Sequence, residues 1–289
     1  MRTRGTSEPA VHISTTAGLM YSVKIRNITI GGGDLVLIAG PCVIESQDHA
    51  LFLAESILTI AQRISMPFIF KASFDKANRS SIQSYRGPGI DKGLEILQRV
   101  KEKFQIPVTS DIHERLQAQS AAEVLDLIQI PAFLSRQTDL LIEAGKTGLP
   151  VNIKKGQFAA PWDMVNAIAK VESTGNKGIL LTERGSSFGY NNLVCDFRSL
   201  AIMHSFGRPV ILDVTHSLQL PGGRGTSSDG ERQYIAPLAQ AGVAFGVDGI
   251  FLEVHDDPDH ALSDGPNSLP LEELEPLLKK LRRIREVTA

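Results

Sequence analysis

Short apolar runs recur along the chain at 35–39, 68–71, 106–109, 127–130, 151–153, 179–181, 210–214 and 249–254. Each is bounded by Gly, Pro or polar residues, and the runs are continuous rather than alternating. That pattern suits strands buried on both faces, as in a parallel sheet. The stretches between them have helical spacing. Ala54, Ile57, Leu58 and Ala61 follow the first run, and Leu274, Leu277, Leu278, Leu281 and Ile284 follow the last. The last stretch has Pro270 near its start and Lys279, Lys280, Arg282 and Arg283 toward its end, in keeping with helix-end preferences. The loosest predicted helix is 161–174, where Trp162 and Val165 give only a weak stripe. Before the first run, residues 21–25 and 28–30 alternate and lead into Gly31-Gly32-Gly33, which predicts a hairpin. Residues 1–18 are polar and read as a loose tail, leaving 19–289 as one catalytic domain. Eight strands alternating with eight helices predict an α/β fold of the (β/α)8 barrel type with a short N-terminal hairpin. A doubly wound open sheet would carry a Gly-rich phosphate loop after its first strand. Here that strand runs into Gly40-Pro41-Cys42.

Composition narrows the function classes. The 289 residues are 42% hydrophobic and 21% charged, with a net charge of -2, so a large core is available and nucleic acid is not the expected partner. No apolar run reaches membrane-spanning length; the longest candidate, 241–254, is interrupted by Asp248. There is no apolar leader before residue 17, and two cysteines, Cys42 and Cys195, are too few for a disulfide scaffold. A soluble cytoplasmic protein is expected.

A barrel of this type collects its chemistry at the C-terminal ends of its strands. Those ends carry Cys42 and Glu45, Lys71, Asp111 and His113, Gln129, Lys154 and Lys155, Glu183 and Arg184, Asp213 and His216, and Glu253 and His255. In a closed barrel the eighth strand lies between the seventh and the first. Cys42, His216, Glu253 and Asp264 can therefore converge, and a thiolate, an imidazole and two carboxylates suit a divalent zinc, iron, manganese or cobalt ion. Lys71, Lys76, Arg79, Lys154 and Arg184 supply more positive charge than one phosphate needs, so two anionic groups are the natural load. The bland alternatives are a buried thiol at Cys42 and surface ion pairing at Lys155. Trp162 reads as core or interface, Cys195 as a buried helix residue, and Phe133 as an exposed aromatic beside substrate or a neighbouring subunit. Residues 221–228, rich in Gly and Ser, read as a lid.

The stretch Lys-Ala-Ser-Phe-Asp-Lys-Ala-Asn-Arg-Ser-Ser at 71–81 resembles the 3-deoxy-D-manno-octulosonate 8-phosphate synthases. So do Ser84-Tyr85-Arg86-Gly87-Pro88-Gly89, Gln129-Ile130-Pro131-Ala132-Phe133-Leu134, Asn152-Ile153-Lys154-Lys155, Asp213-Val214-Thr215-His216 and Asp264-Gly265-Pro266. The likeness runs over about 35–287. It implies condensation of phosphoenolpyruvate with D-arabinose 5-phosphate for lipopolysaccharide synthesis, a homotetramer, and the metal-dependent branch, since metal-independent members have Asn where this chain has Cys42. It also implies that Lys71, Lys154 and Arg184 bind phosphoenolpyruvate with Gln129 and the Ala132–Phe133 backbone. Lys76 and Asn78 line the path between substrates. Arg79 and Ser80 hold the sugar phosphate, in the site of a neighbouring subunit, and Asp111 contacts substrate or orders water. The groups expected to do the chemistry are Lys71, Lys154, His216 and Asp264. Related 3-deoxy-D-arabino-heptulosonate 7-phosphate synthases, which have Lys-Pro-Arg-Thr near residue 76, and a non-catalytic sugar-phosphate-binding barrel are the alternatives.

Overall fold

A computed structural model of the chain describes residues 21–79, 81–223 and 229–288. The predicted tail, Ser80 and residues 224–228 of the predicted lid lie outside these.

A hairpin, β1 (Val23–Ile25) and β2 (Ile28–Ile30), comes first. Then β3 (Val36–Gly40) leads to α1 (Gln47–Arg63), β4 (Phe68–Lys71) to α2 (Ile90–Phe104), and β5 (Val108–Asp111) to α3 (Gln117–Ala122). In the same way β6 (Leu127–Ile130) leads to α4 (Thr138–Lys146), β7 (Val151–Lys154) to α5 (Met164–Glu172), and β8 (Ile179–Glu183) to α6 (Arg198–His204). The β8–α6 connection contains a small antiparallel pair, β9 (Ser186–Ser187) and β10 (Leu193–Val194). β11 (Val210–Asp213) runs directly into a single turn, α7 (Val214–Ser217). A second small pair, β12 (Gln219–Leu220) and β13 (Asp229–Gly230), precedes α8 (Ile235–Phe245). The chain ends with β14 (Gly249–His255), the short β15 (Leu269–Pro270) and α9 (Leu271–Thr288).

The parallel neighbours run β3-β4-β5-β6-β7-β8-β11-β14, and β14 pairs back onto β3 with Phe251 opposite Ile38 and Glu253 opposite Gly40. The barrel is closed, as the alternation of runs predicts. The runs look continuous because both faces are buried. Leu37, Phe68, Phe70, Ile128 and Leu212 pack outward with the helices, whereas Val36, Ile38, Ile69, Leu127, Leu180, Ile211 and Phe251 fill the interior. The hairpin's Val23, Ile25, Ile28 and Ile30 join that inner cluster and plug the bottom of the barrel. One step of two residues further along the strands, the same inward face becomes polar: Lys71 follows Ile69, Gln129 follows Leu127, Asp213 follows Ile211 and Glu253 follows Phe251. Side chains of successive residues alternate, so the sequence itself sets the height at which oil gives way to chemistry.

Several boundaries differ from the predicted ones. The third run is shifted to Val108–Asp111, because Pro107 has no N–H to donate into the ladder. Val214 belongs to α7, whose start is capped by the Asp213 carboxylate accepting the His216 N–H at 3.0 Å. Cys195 is not in a helix. It lies half-buried ahead of α6, which begins at Arg198 where the Asp196 carboxylate accepts the Arg198 N–H at 3.0 Å. Trp162 is not core but 60% exposed, on a 3-10 turn (Pro161–Asp163) preceding α5. Lys155 is wholly buried rather than on the surface. Among the described residues, no helix is long and apolar enough to cross a membrane.

Candidate active site

Gly40 is where the first barrel strand gives up its side chain. A Cβ there would stand 2.0 Å from the Lys71 carbonyl oxygen, so only Gly lets β3 and β4 run this close before the chain turns through Pro41 to Cys42. Lys71, buried at the end of β4, is held between the two strands: Nζ donates to the Cys42 carbonyl at 2.9 Å and lies 3.2 Å from Glu253 Oε1. Lys76 Nζ approaches the same Glu253 oxygen at 3.6 Å. Lys154, at the end of β7, is paired with Asp213 Oδ2 at 2.6 Å and sits 3.6 Å above the centroid of the Phe251 ring. Phe251 thus tops the apolar plug and floors the polar chamber.

A chain of hydrogen bonds crosses the chamber wall. The Thr182 hydroxyl donates to Asn152 at 2.6 Å, Asn152 donates to Gln129 at 3.2 Å, and Gln129 donates to Asp111. The Ser73 hydroxyl completes it by donating to Asp111 Oδ2 at 2.7 Å. Burial alone would raise the Asp111 carboxyl, but Lys71, Lys76 and Lys154 outweigh it and hold Asp111 well below the usual carboxylate range. Burial lowers Lys154, against the pull of Asp213. Burial also lowers Arg184, which its carboxylate neighbours only partly offset. Arg184 is presented by a buried pair beneath it. Lys155 lies 3.5 Å from Glu183, and the Glu183 carboxylate accepts the N–H groups of Arg184 at 3.0 Å and Gly185 at 2.7 Å. Arg184 Nη2 donates to Gln219 at 2.9 Å, while its buried Nη1 has no partner among the described residues. A buried guanidinium nitrogen left open at a pocket wall suits an anion.

The other half of the mouth holds the proposed ligand set. One donor atom each from Cys42, Glu253 and Asp264 lies within 4.8 Å of the others. His216 joins them with Nε2 3.4 Å from Glu253 Oε1, and its Nδ1 lies 2.8 Å from Asp213, the carboxylate-behind-imidazole arrangement common at metal sites. Burial, then Asp264 and Glu253, push the Cys42 thiol up to about 12. Glu253 Oε2 is buried without a partner among the described residues. Protein cations crowd the same spot: Arg79 stands 3.4 Å from Asp264 and 3.9 Å from the Cys42 sulfur. A donor set that raises its own thiol, leaves a carboxylate oxygen open and draws in a guanidinium fits a divalent cation.

The structure therefore brings Cys42, Lys71, Lys76, Arg79, Asp111, Lys154, Arg184, His216, Glu253 and Asp264 to one mouth. Asn78, Ala132 and Phe133 line its rim, with Phe133 exposed on a 3-10 turn (Ala132–Leu134), and Gln129 is buried behind Asp111. Sequence reasoning passed over Gln157, Gln219 and Ser263. Gln157 lines the pocket with a buried Oε1 that has no partner among the described residues. Gln219 links Arg184 to Asp264, and the Ser263 hydroxyl is 2.8 Å from the Cys42 sulfur. All three sit on connections whose path only the folded chain reveals.

A family model described as "DAHP synthetase I family" matches residues 11–288. The chain belongs to that family. Within the DAHP synthetase I family it is similar to proteins named 2-dehydro-3-deoxyphosphooctonate aldolase. It is 60% identical to that of Geobacter metallireducens over 91% of this chain and 97% of the relative. It is 58% identical to that of Syntrophotalea carbinolica over 91% and 95%, and 59% identical to that of Trichlorobacter lovleyi over 92% and 98%. The family's likeness covers every barrel strand and so all the residues of the mouth.

Proposed function

We propose that the protein condenses phosphoenolpyruvate with D-arabinose 5-phosphate and water to give 3-deoxy-D-manno-octulosonate 8-phosphate and inorganic phosphate, for lipopolysaccharide synthesis. The observation that carries this is the convergence of buried Lys71, Lys154 and Arg184 beside the Cys42, Glu253 and Asp264 cluster, with His216 against Glu253, in a chain so similar to the named aldolases. Lys71, Lys154 and Arg184 bind the phosphate and carboxylate of phosphoenolpyruvate, helped by Gln129 and the Ala132–Phe133 backbone. Their charge is fixed before the substrate arrives, in a chamber floored by Phe251, where it acts with little screening. C3 of phosphoenolpyruvate bonds to the sugar aldehyde carbon, and the aldehyde oxygen takes a proton. Water oxygen bonds to C2 and gives up one proton; the resulting C2 hydroxyl then becomes the C2 carbonyl as the C2–phosphate oxygen bond breaks, and its proton leaves with the phosphate. Lys76 and Asn78 lie along the path between the substrates, and Asp111, locked ionised, orders the water or a sugar hydroxyl.

Cys42, His216, Glu253 and Asp264 would hold a divalent zinc, iron, manganese or cobalt ion. Such an ion supplies Lewis acidity toward an oxygen atom at the mouth. Arg79 stands in its own chain's mouth against Asp264, so it holds the sugar phosphate there with Ser80 rather than in a neighbour's site, and the family likeness suggests a cytoplasmic homotetramer with a subunit boundary beside that mouth. The exposed Phe133 at the mouth and the exposed Phe188 on the β9–β10 turn are compatible with that boundary.

The test is phosphate release from phosphoenolpyruvate with arabinose 5-phosphate, run beside erythrose 4-phosphate, before and after chelation. Release that requires the five-carbon sugar, falls on chelation and returns with a divalent ion is expected. Release with erythrose 4-phosphate alone would overturn the acceptor, and full activity in protein shown to be metal-free would overturn the need for the ion.

A further inference from the structure

We propose that the chain carries a second divalent-cation site outside the reaction pocket, formed by Glu45, His49 and His255 with Asp256 behind them. Three elements meet there. Glu45 lies just past β3, His49 is in the first turn of α1, and His255 ends β14. One donor atom from each lies within 4.8 Å of the others. Nitrogen and oxygen ligands at about 2.0–2.2 Å from an ion stand up to about 4 Å apart, so a small contraction closes the set.

The pairing of these groups has the layout of a metal site. Asp256 Oδ1 lies 2.8 Å from His49 Nε2 and 3.3 Å from His255 Nδ1, so one carboxylate backs both imidazoles. With Nε2 of His49 turned to Asp256, its Nδ1 is the nitrogen left over, and it is buried without a partner among the described residues. His255 Nε2 and Glu45 Oε1 are already 3.2 Å apart. The Asp257 N–H donates to His255 Nδ1 at 2.9 Å, which puts the ring proton on Nε2. Coordination through Nε2 calls for the other ring tautomer, with the proton on Nδ1 donated to Asp256 Oδ1, 3.3 Å away, and the Asp257 N–H released from the ring.

Charge points the same way. Among the described residues no Lys or Arg is ion-paired with Glu45 or Asp256; their ion-pair partners are His49 and His255. The reaction mouth is different, since Lys71, Lys76 and Arg79 all stand against its carboxylates. Two carboxylates are balanced by one dication, and an N2O donor set suits zinc or cobalt. The site is separate from the first. His255 is two residues past Glu253 on one strand, about 7 Å along it, too far for a bridged pair at about 3.5–4 Å. It ties together the end of β14, the start of α1 and the loop that carries Asp264, because Glu45 Oε1 also accepts the Leu262 N–H at 2.8 Å.

Cobalt(II) binding tests it with a readout other than turnover. Metal-stripped protein is dialysed against cobalt(II), and bound metal is counted by atomic emission while the near-ultraviolet spectrum is recorded. A Cys42-ligated ion gives a sulfur-to-cobalt band, and the second site gives none. Two cobalt ions per chain are expected in the wild type. His49→Ala should bind one and keep both the band and turnover, and Cys42→Ser should bind one and lose the band. Should His49→Ala fold poorly, Asp256→Asn should weaken the band-free ion by about tenfold or more and leave the other unchanged. One ion per chain in the wild type that gives the band, or two in folded His49→Ala, overturns the proposal; one band-free ion that His49→Ala loses keeps this site. Two ions in the wild type with no band would keep this site and remove Cys42 from the first.

Discussion

Arg184 shows how one residue's role depends on partners far away in the chain. Its backbone N–H is fixed by Glu183, one terminal nitrogen is committed to Gln219, and the other is buried with no partner among the described residues. An anion filling that position gains a charge-assisted hydrogen bond worth about 1.5–3 kcal/mol. Arg184→Ala should therefore raise the KM for phosphoenolpyruvate by about ten- to a hundredfold and leave the KM for the sugar phosphate nearly unchanged. Steady-state kinetics with each substrate varied in turn decides it, and the opposite split would assign Arg184 to the sugar. At this scale much was legible. Every barrel-strand end is polar in the sequence, and most of those groups meet at one mouth, whereas Glu45 and His255 lie apart from it and Lys155 and Glu183 lie beneath Arg184. Less legible was the state of each group. That Lys155 is buried as a prop for Glu183, or that Ser263 touches the Cys42 sulfur, depends on how loops fold back. No spacing along the chain encodes it.

At the scale of elements, the strands were legible because the apolar runs are short and bounded. Their ends were not, because local hydrogen bonds decide them: Asp213 stops β11 by capping α7, and Asp196 delays α6 past Cys195. The least visible feature was contact between an element and the loop that precedes it. Gly93, in α2, lies against Phe74 on the β4–α2 connection, and a Cβ there would stand 2.2 Å from the Phe74 Cβ. Phe74 is fully buried, its N–H donates to the Ser110 hydroxyl at 3.2 Å, and its carbonyl accepts the Gly89 N–H at 3.0 Å. It cannot move without dragging the segment that presents Lys76, Asn78 and Arg79. Gly93→Ala should cost about 1–3 kcal/mol through overpacking. Thermal unfolding should show a midpoint lower by several degrees, and kinetics a raised sugar-phosphate KM. A midpoint within a degree of wild type would mean that α2 shifts freely and does not anchor this loop.

Across the whole molecule, the barrel interior is two compartments stacked along one axis. Below, the hairpin's Val23, Ile25, Ile28 and Ile30 pack with Ile38, Ile69, Leu127, Leu180 and Ile211. Above, Lys71, Lys154, Asp111 and Glu253 carry the charge, and Phe251 separates the two levels with Lys154 over its ring. The separation has a physical use. Burying several ionisable groups at one end costs desolvation free energy that their pairing only partly offsets, and a dry apolar plug at the other end offsets that cost without touching substrate. If the compartments are independent, damage to the plug should lower stability and spare affinity. Ile30 is fully buried at the bottom, so Ile30→Ala should cost about 2–5 kcal/mol as transfer and cavity terms combine. Denaturant unfolding should show a lower midpoint, while the KM for each substrate, measured well below that midpoint, stays within about twofold of wild type, since sites far apart with no shared partner act nearly additively. A changed KM at unchanged stability would mean that Phe251 transmits packing from the hairpin to Lys154, and that the plug positions the chemistry as well as supporting it.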